Sequence, residues 1–380
     1  MAQEKIKKIL VLGLGRVGVL VATLLHESGY EVTGLDAKLT EEFPFEATEL
    51  DLSQAENVAP MFKDHDAVVS CLPFFMNKEL ATLAAGKIHY FDLTEDVPTT
   101  EYNLDLAKDS ETVLAPQCGL APGFIGIVGA HLAQEFNKIR HIKLRVGALP
   151  QHPTGHLGYA FNWSPEGVIN EYLNDCAVIE HGEKKMVSPL EWKEKLFING
   201  QELEAFTTSG GLGTMCDTYK DRAENIDYKS IRYPGHAKMM NFLLHELFMR
   251  DDLQKTADVL SHAKPPVSED IVYVHASVEG WNKHDKLARE EFIHGYLPKT
   301  INGREWRAIS WTTAASICAV IEMVDTGLLP SHGFIRQEDI PFIDFLKTKT
   351  GGLYNKHGDN DTSVLEKLEV AYQTAETARG

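Results

Sequence analysis

The first 120 residues alternate short, almost wholly apolar runs with stretches whose apolar residues recur every three or four positions. The runs are Ile9–Leu12, Val32–Leu35, Ala67–Leu72, Ile88–Leu93 and Thr112–Ala115, while Val17–Leu25 and the segment around Ala81–Ala85 carry helical spacing. Runs that do not alternate fit strands buried on both faces, so the pattern predicts an α/β unit with a doubly wound parallel sheet. Beyond the Pro122-Gly123 break the texture changes. A helix is predicted over Phe124–Phe136, and His141–Leu149 then alternates polar and apolar residues, the period of a mixed or antiparallel sheet with one open face. Ser164-Pro165-Glu166 reads as a helix start with proline in the first turn. Lys195–Asn199, Gly200 and Gln201–Phe206 read as a hairpin, Ile271–Glu279 as a strand and Thr312–Val324 as a long apolar helix. Past the polar break at 357–362, Ser363–Thr377 is expected to be a surface helix.

Directly after the first run, ILVLGLGRVGVLVATLL sets Gly13, Gly15 and Gly18 in a Gly-x-Gly-x-x-Gly pattern, and a helix follows without a gap. The first glycine permits the tight turn, the second lets backbone amides approach a pyrophosphate, and the third allows close helix–strand packing. The phosphates then meet Arg16, Val17 and the helix N-terminus, where free N–H groups and the macrodipole favour negative charge. Asp36 ends the second run, where a carboxylate accepts ribose hydroxyls and repels a 2′-phosphate. Lys38 is the only cation nearby in the sequence, so NAD is expected in preference to NADP. The expected architecture is therefore a Rossmann domain over 1–122, a mixed-sheet α/β domain over 123–305, and C-terminal helices over 306–380 packing back on the first domain.

In such sheets ligands bind at the carboxyl ends of the strands. Those ends are Cys71-Leu72-Pro73, expected at the cofactor, Asp92-Leu93-Thr94, and Pro116-Gln117-Cys118. Asp92 either positions the nicotinamide ribose or a substrate amine, or caps the helix beginning near Thr99. Cys118 is either a reactive thiol beside the nicotinamide or a small buried hydrophobe.

Composition narrows the partners. Against 37 Lys and Arg stand 55 Asp and Glu, a net charge of −18, which disfavours nucleic acid and anionic membranes. Five scattered cysteines without a CxxC pair suit a reducing cytoplasm and form neither a disulfide framework nor a thiolate zinc site. No signal-like core and no apolar stretch of about 18 residues is read, so a soluble cytoplasmic chain is expected. The sixteen histidines are scattered, and no metal site is expected. His245-Glu246 lacks the second histidine of a zinc-protease helix, and the Ser209–Gly213 stretch has no lysine of a phosphate loop.

GLAPGF (Gly119–Phe124), the stretch Val146–Tyr172 and SIRYPGHAKMM (Ser230–Met240) together resemble the saccharopine dehydrogenase-like family. The resemblance implies pyridine-nucleotide oxidoreduction at the C–N bond of lysine or a lysine-derived amino acid, and a homodimer. The chain departs from the saccharopine reductase pattern at Ala121, at Val146, and at Thr207–Gly211, where an Asn-Arg-Asp-Ser segment is usual; these departures look more like lysine 6-dehydrogenase. Oxidising an amine requires a deprotonated nitrogen and hence a general base or an ordered water, and the substrate carboxylate must be held by a cation. Arg232 is the candidate for the carboxylate or else a structural ion pair; His236 is the candidate base or a helix cap. Tyr159, Asn162 and Ser209 are candidate pocket donors. Two other functions stay open: saccharopine dehydrogenase proper, and a protein that holds NAD for regulation without turnover.

Overall fold

The computed structural model describes residues 5–355. The apolar runs of the first third form β1 (Lys8–Leu12), β2 (Glu31–Asp36), β3 (Glu46–Glu49), β4 (Ala67–Ser70), β5 (His89–Asp92) and β6 (Val113–Ala115). They pair in parallel in the order β6-β5-β4-β1-β2-β3. Ile9 to Leu12 and Ala67 to Ser70 are wholly buried, which is why these strands carry no polar alternation. Helices α1 (Gly18–Glu27), α2 (Phe74–Ala84) and α3 (Val97–Leu106) cover the sheet. Strand order reverses at β1, with β2 on one side and β4 on the other, so the crevice for a ligand opens above the glycine loop. The cap of α3 comes from Asp96, whose carboxylate accepts from the Thr99 amide at 3.0 Å; Asp92 does not supply it.

Helix α4 (Phe124–Ala133) stops short of the predicted Phe136, because that residue already pairs with Asn282 in a second sheet. This sheet contains β7 (Phe136–Pro150), β8 (Cys176–Glu180), β9 (Glu183–Val187), β10 (Glu194–Ile198), β11 (Gln201–Thr207), β12 (Ala223–Arg232), β13 (Asp270–Asn282) and β14 (Leu287–Tyr296). β7 lies parallel to β12 and antiparallel to β13, so the sheet is mixed. The alternation of β7 arises from its faces: Ile142, Leu144 and Val146 enter the core shared with α4, while Arg145 points to the other side and pairs with Glu194 and Asp227. The expected hairpin turns at Asn199-Gly200, both at positive φ.

Helices α5 (Pro165–Leu173), α6 (Met215–Tyr219), α7 (His236–Asn241) and α8 (Leu253–Ala263) complete this layer. Ser164 caps α5 by accepting from the Gly167 amide at 3.0 Å, with Pro165 at the first position.

After the ribbon β15 (Lys299–Ile301) and β16 (Arg304–Trp306) comes α9 (Ala308–Asp325), longer at both ends than predicted. Its 18 residues are apolar enough to span a bilayer by length and composition, yet 89% of them are buried inside the protein, where α9 lies along α1 and against β13. Strand β17 (Gly333–Phe334) adds to the edge of the first sheet beside β6, and α10 (Phe342–Lys347) contacts α4. Residues 306–355 therefore pack on both domains. The Ser363–Thr377 helix expected from sequence lies outside the described residues.

Candidate active site

The glycine loop joins β1 to α1. Gly13 sits at φ 86°, and its amide donates to Leu35 O at 2.8 Å. A Cβ on Gly18 would lie 1.7 Å from Gly13 O, so loop and helix can close only around glycine. A Cβ on Gly15 would meet no protein atom within 4 Å; the space above it is open. No side chain caps α1, and the amides of Gly15 and Arg16 have no protein acceptor among the described residues. Unsatisfied donors at a helix N-terminus beneath open space fit a pyrophosphate. Asp36 accepts from the Leu14 amide at 2.7 Å and the Lys38 amide at 3.2 Å, which fixes its carboxylate beside the loop. Lys38 is not the only cation here. Arg304 on β16 reaches the loop after β2 and pairs with Glu41 at 2.8 and 3.1 Å, a neighbour sequence proximity could not show.

A cavity of about 440 Å³ opens from Gly15, Arg16, Val17 and Gly18 to the second domain. Cys71, Leu72 and Pro73 line it, and so do Tyr159, Asn162 and Arg232. Arg232 ends β12 and is 3% exposed. Its Nε donates to Tyr172 Oη at 2.9 Å and its Nη1 to Ile231 O at 2.8 Å, while Nη2 has no protein acceptor among the described residues. The Tyr159 ring lies 4.8 Å from the guanidinium, and Trp163 Nε1 donates to Tyr159 Oη at 3.1 Å. Asn162 Oδ1 accepts from the Val267 amide at 2.8 Å, so its acceptor serves the loop rather than the cavity.

Four expectations are corrected. His236 is not a base: its Nδ1–H donates to Leu157 O at 2.9 Å, leaving Nε2 to accept from Tyr172 Oη at 3.0 Å. Burial first, then the Arg232 charge, hold this imidazole down at about 3, so it stays neutral and positions Tyr172, and through it Arg232. Nor does it cap a helix, since Gly235 occupies that position. Asp92 is wholly buried and outside the cavity lining. Its carboxylate accepts from Tyr90 Oη and the Thr94 amide, both at 2.8 Å, and from the Gln117 amide at 3.2 Å, tying together two strand ends. Burial raises it to about 6 against those hydrogen bonds. Cys118 is fully buried, contacts Ala115 O and Gln337, and is pushed up by burial, so it is no reactive thiol. Ser209 does not line the cavity; its amide donates to Glu171 O at 3.0 Å.

Sequence reasoning missed Glu95 and Glu171, both of which line the cavity. Glu95 follows β5, one residue beyond the strand end considered. Glu171 is 6% exposed on the buried face of α5 with Val168 and Tyr172, and a glutamate at that spacing on an apolar helix face was the available signal. Burial lifts Glu95 to about 7, helped by the charges of Asp96 and Asp92. Burial lifts Glu171 to about 8, Glu95 adding and Arg232 opposing.

The chain matches the saccharopine dehydrogenase NADP binding domain over residues 9–117 and the saccharopine dehydrogenase C-terminal domain over 119–351. It is 24% identical over 274 residues to the NADP(+)-dependent, L-glutamate-forming saccharopine dehydrogenase of Pyricularia oryzae, a match covering 65% of this chain and 59% of that protein. It is 22% identical over 261 residues to mouse mitochondrial alpha-aminoadipic semialdehyde synthase, covering 62% of this chain and 28% of that protein. The chain thus spans less than two thirds of either relative. In three dimensions it resembles L-glutamate-forming saccharopine dehydrogenase of Saccharomyces cerevisiae, with a TM-score of 0.71 at 16% identity over 91% of this chain and 98% of the other. It also resembles homospermidine synthase of Legionella pneumophila in complex with NAD, with a TM-score of 0.59 at 13% identity over 90% and 88%. At these identities the structural likeness concerns the fold.

Proposed function

Because the chain belongs to the saccharopine dehydrogenase family, we propose that it is a pyridine-nucleotide-dependent oxidoreductase acting on the C–N bond of lysine or a lysine-derived amino acid. One observation carries the reading: the open glycine loop and the buried Arg232 share a single cavity. Gly15, Arg16 and the first turn of α1 would hold the pyrophosphate, and Asp36 the adenosine ribose. The bound nicotinamide supplies a hydride acceptor. Arg232 presents Nη2 to a carboxylate, its direction fixed by Tyr172 and, behind that, His236. Leu72 and Pro122 form part of the apolar lining near the loop, where exclusion of water strengthens these charge contacts. NAD is the favoured cofactor on account of Asp36, although the fungal saccharopine dehydrogenases similar to this chain and the matching nucleotide-domain family are named for NADP(+).

The test follows reduced nucleotide by its absorbance, with NAD or NADP and with L-lysine, saccharopine and L-ornithine as substrates. Nucleotide reduction with lysine or saccharopine is expected. Tight nucleotide binding with no reduction by any of the three would instead point to a protein that holds the nucleotide without turnover.

A further inference from the structure

The cavity holds two carboxylates and one guanidinium from the second domain and the β5 loop, and neither carboxylate is in a salt bridge among the described residues. Glu171 is more than nine-tenths buried, lines the cavity and makes no side-chain hydrogen bond or ion pair among the described residues. Glu95 lines the same space and interacts with Glu171 by charge. Holding a buried and a half-buried carboxylate side by side with no salt-bridge partner is costly, and such groups otherwise pair or neutralise.

The surrounding backbone is built to hold them there. A Cβ on Gly210 would lie 2.2 Å from Glu95 O, and one on Gly211 would lie 2.2 Å from the Tyr228 ring. A Cβ on Gly167 would lie 2.6 Å from the Trp163 ring and 3.0 Å from Glu95 Oε1. Three glycines thus let Glu95 and two aromatic rings crowd together, while the Ser209 amide holds the backbone of Glu171. Arg232 is the cation whose field reaches Glu171.

We propose that Glu95 and Glu171 form a subsite for a substrate ammonium, with Arg232 taking the carboxylate, so that the substrate class is an amino acid with one carboxylate and a distal primary amine. Trp163 and Tyr228 add aromatic surface beside that nitrogen. A substrate with three carboxylates, as in saccharopine, brings added negative charge to the two glutamates and is disfavoured. The assignment rests on the amino-acid oxidoreductase reading for its substrate but not for its test, which needs no turnover.

The test is calorimetric titration of the full chain, loaded with reduced nucleotide, with L-lysine, L-norleucine, L-2-aminoadipate and saccharopine. Lysine is expected to bind about ten-fold or more tightly than norleucine, the scale of a hydrogen-bonded charge, and 2-aminoadipate and saccharopine more weakly still. Glu95→Gln and Glu171→Gln should each lower lysine affinity while leaving norleucine affinity and nucleotide affinity unchanged, the last verifying that the variants fold. Norleucine, 2-aminoadipate or saccharopine binding as tightly as lysine would overturn the assignment, as would lysine affinity indifferent to both substitutions. Lysine binding with this selectivity but without nucleotide reduction would leave the subsite standing and remove the oxidoreductase reading.

Discussion

Asp36 shows how one residue can be legible in sequence and still be completed by the fold. Its place at the end of β2 follows from the glycine pattern, whereas its two accepted hydrogen bonds, from Leu14 and Lys38, belong to the folded loop. A carboxylate held beside a ribose favours hydroxyls over a phosphate. Asp36→Ala is therefore expected to weaken NAD by about ten-fold or more, the scale of hydrogen bonds to a charged group, and NADP much less. Fluorescence titration with both nucleotides checks it, and equal weakening would contradict the preference. His236 and Asp92 carry the opposite lesson. Each has the chemistry of a catalyst and neither is used as one, because other groups occupy their polar atoms: for His236 Leu157 and Tyr172, both distant in sequence, and for Asp92 the distant Gln117 together with its near neighbours Tyr90 and Thr94. Glu171 shows a third case: it shares the buried face of α5 with Val168 and Tyr172, a spacing that the reading of the sequence passed over, and only the fold shows what it faces.

At the scale of elements, β7, β10 and β12 are tied by a charge network that no local pattern announces. Arg145 on β7 is 1% exposed and pairs with Glu194 on β10 and Asp227 on β12, and Lys229 on β12 also reaches Glu194 at 3.1 Å. Burial alone would raise Glu194, but Arg145 and Lys229 outweigh it and hold the carboxyl at about 2. An ordinary unfolded glutamate titrates near about 4.3. The folded value is the lower one, so the contribution to stability is complete above the unfolded value and is lost as pH falls toward 2. Urea unfolding of wild type and Glu194→Gln should differ clearly at pH 6 and converge as the pH approaches 2; a constant difference would exclude this linkage. The alternation of β7 was readable from sequence, but the partners of its outward Arg145 were not, because they come from strands 49 and 82 residues away.

For the whole molecule, the decisive joint is between the second sheet and the helix that packs on the first domain. Asp270 at the start of β13 accepts from the Ala308 amide at 2.7 Å and the Ile309 amide at 3.0 Å, capping α9 in place of a residue of its own. That helix lies against α1, so one buried carboxylate links substrate domain, central helix and nucleotide domain. Asp270→Ala orphans two amides and is expected to cost about 1–3 kcal/mol by thermal or urea unfolding, and Asp270→Asn less, since one acceptor oxygen remains. Unchanged unfolding in Asp270→Ala would show that the cap contributes nothing. The sequence by itself determined the parallel sheet, the glycine loop and the placement of Asp36, because hydrophobic period and glycine spacing act over a few residues. Tertiary structure alone decided which polar groups share a cavity. Arg232, Glu171 and Glu95 come from β12, α5 and the loop after β5, and their meeting depends on strand pairing and domain packing that local spacing does not encode.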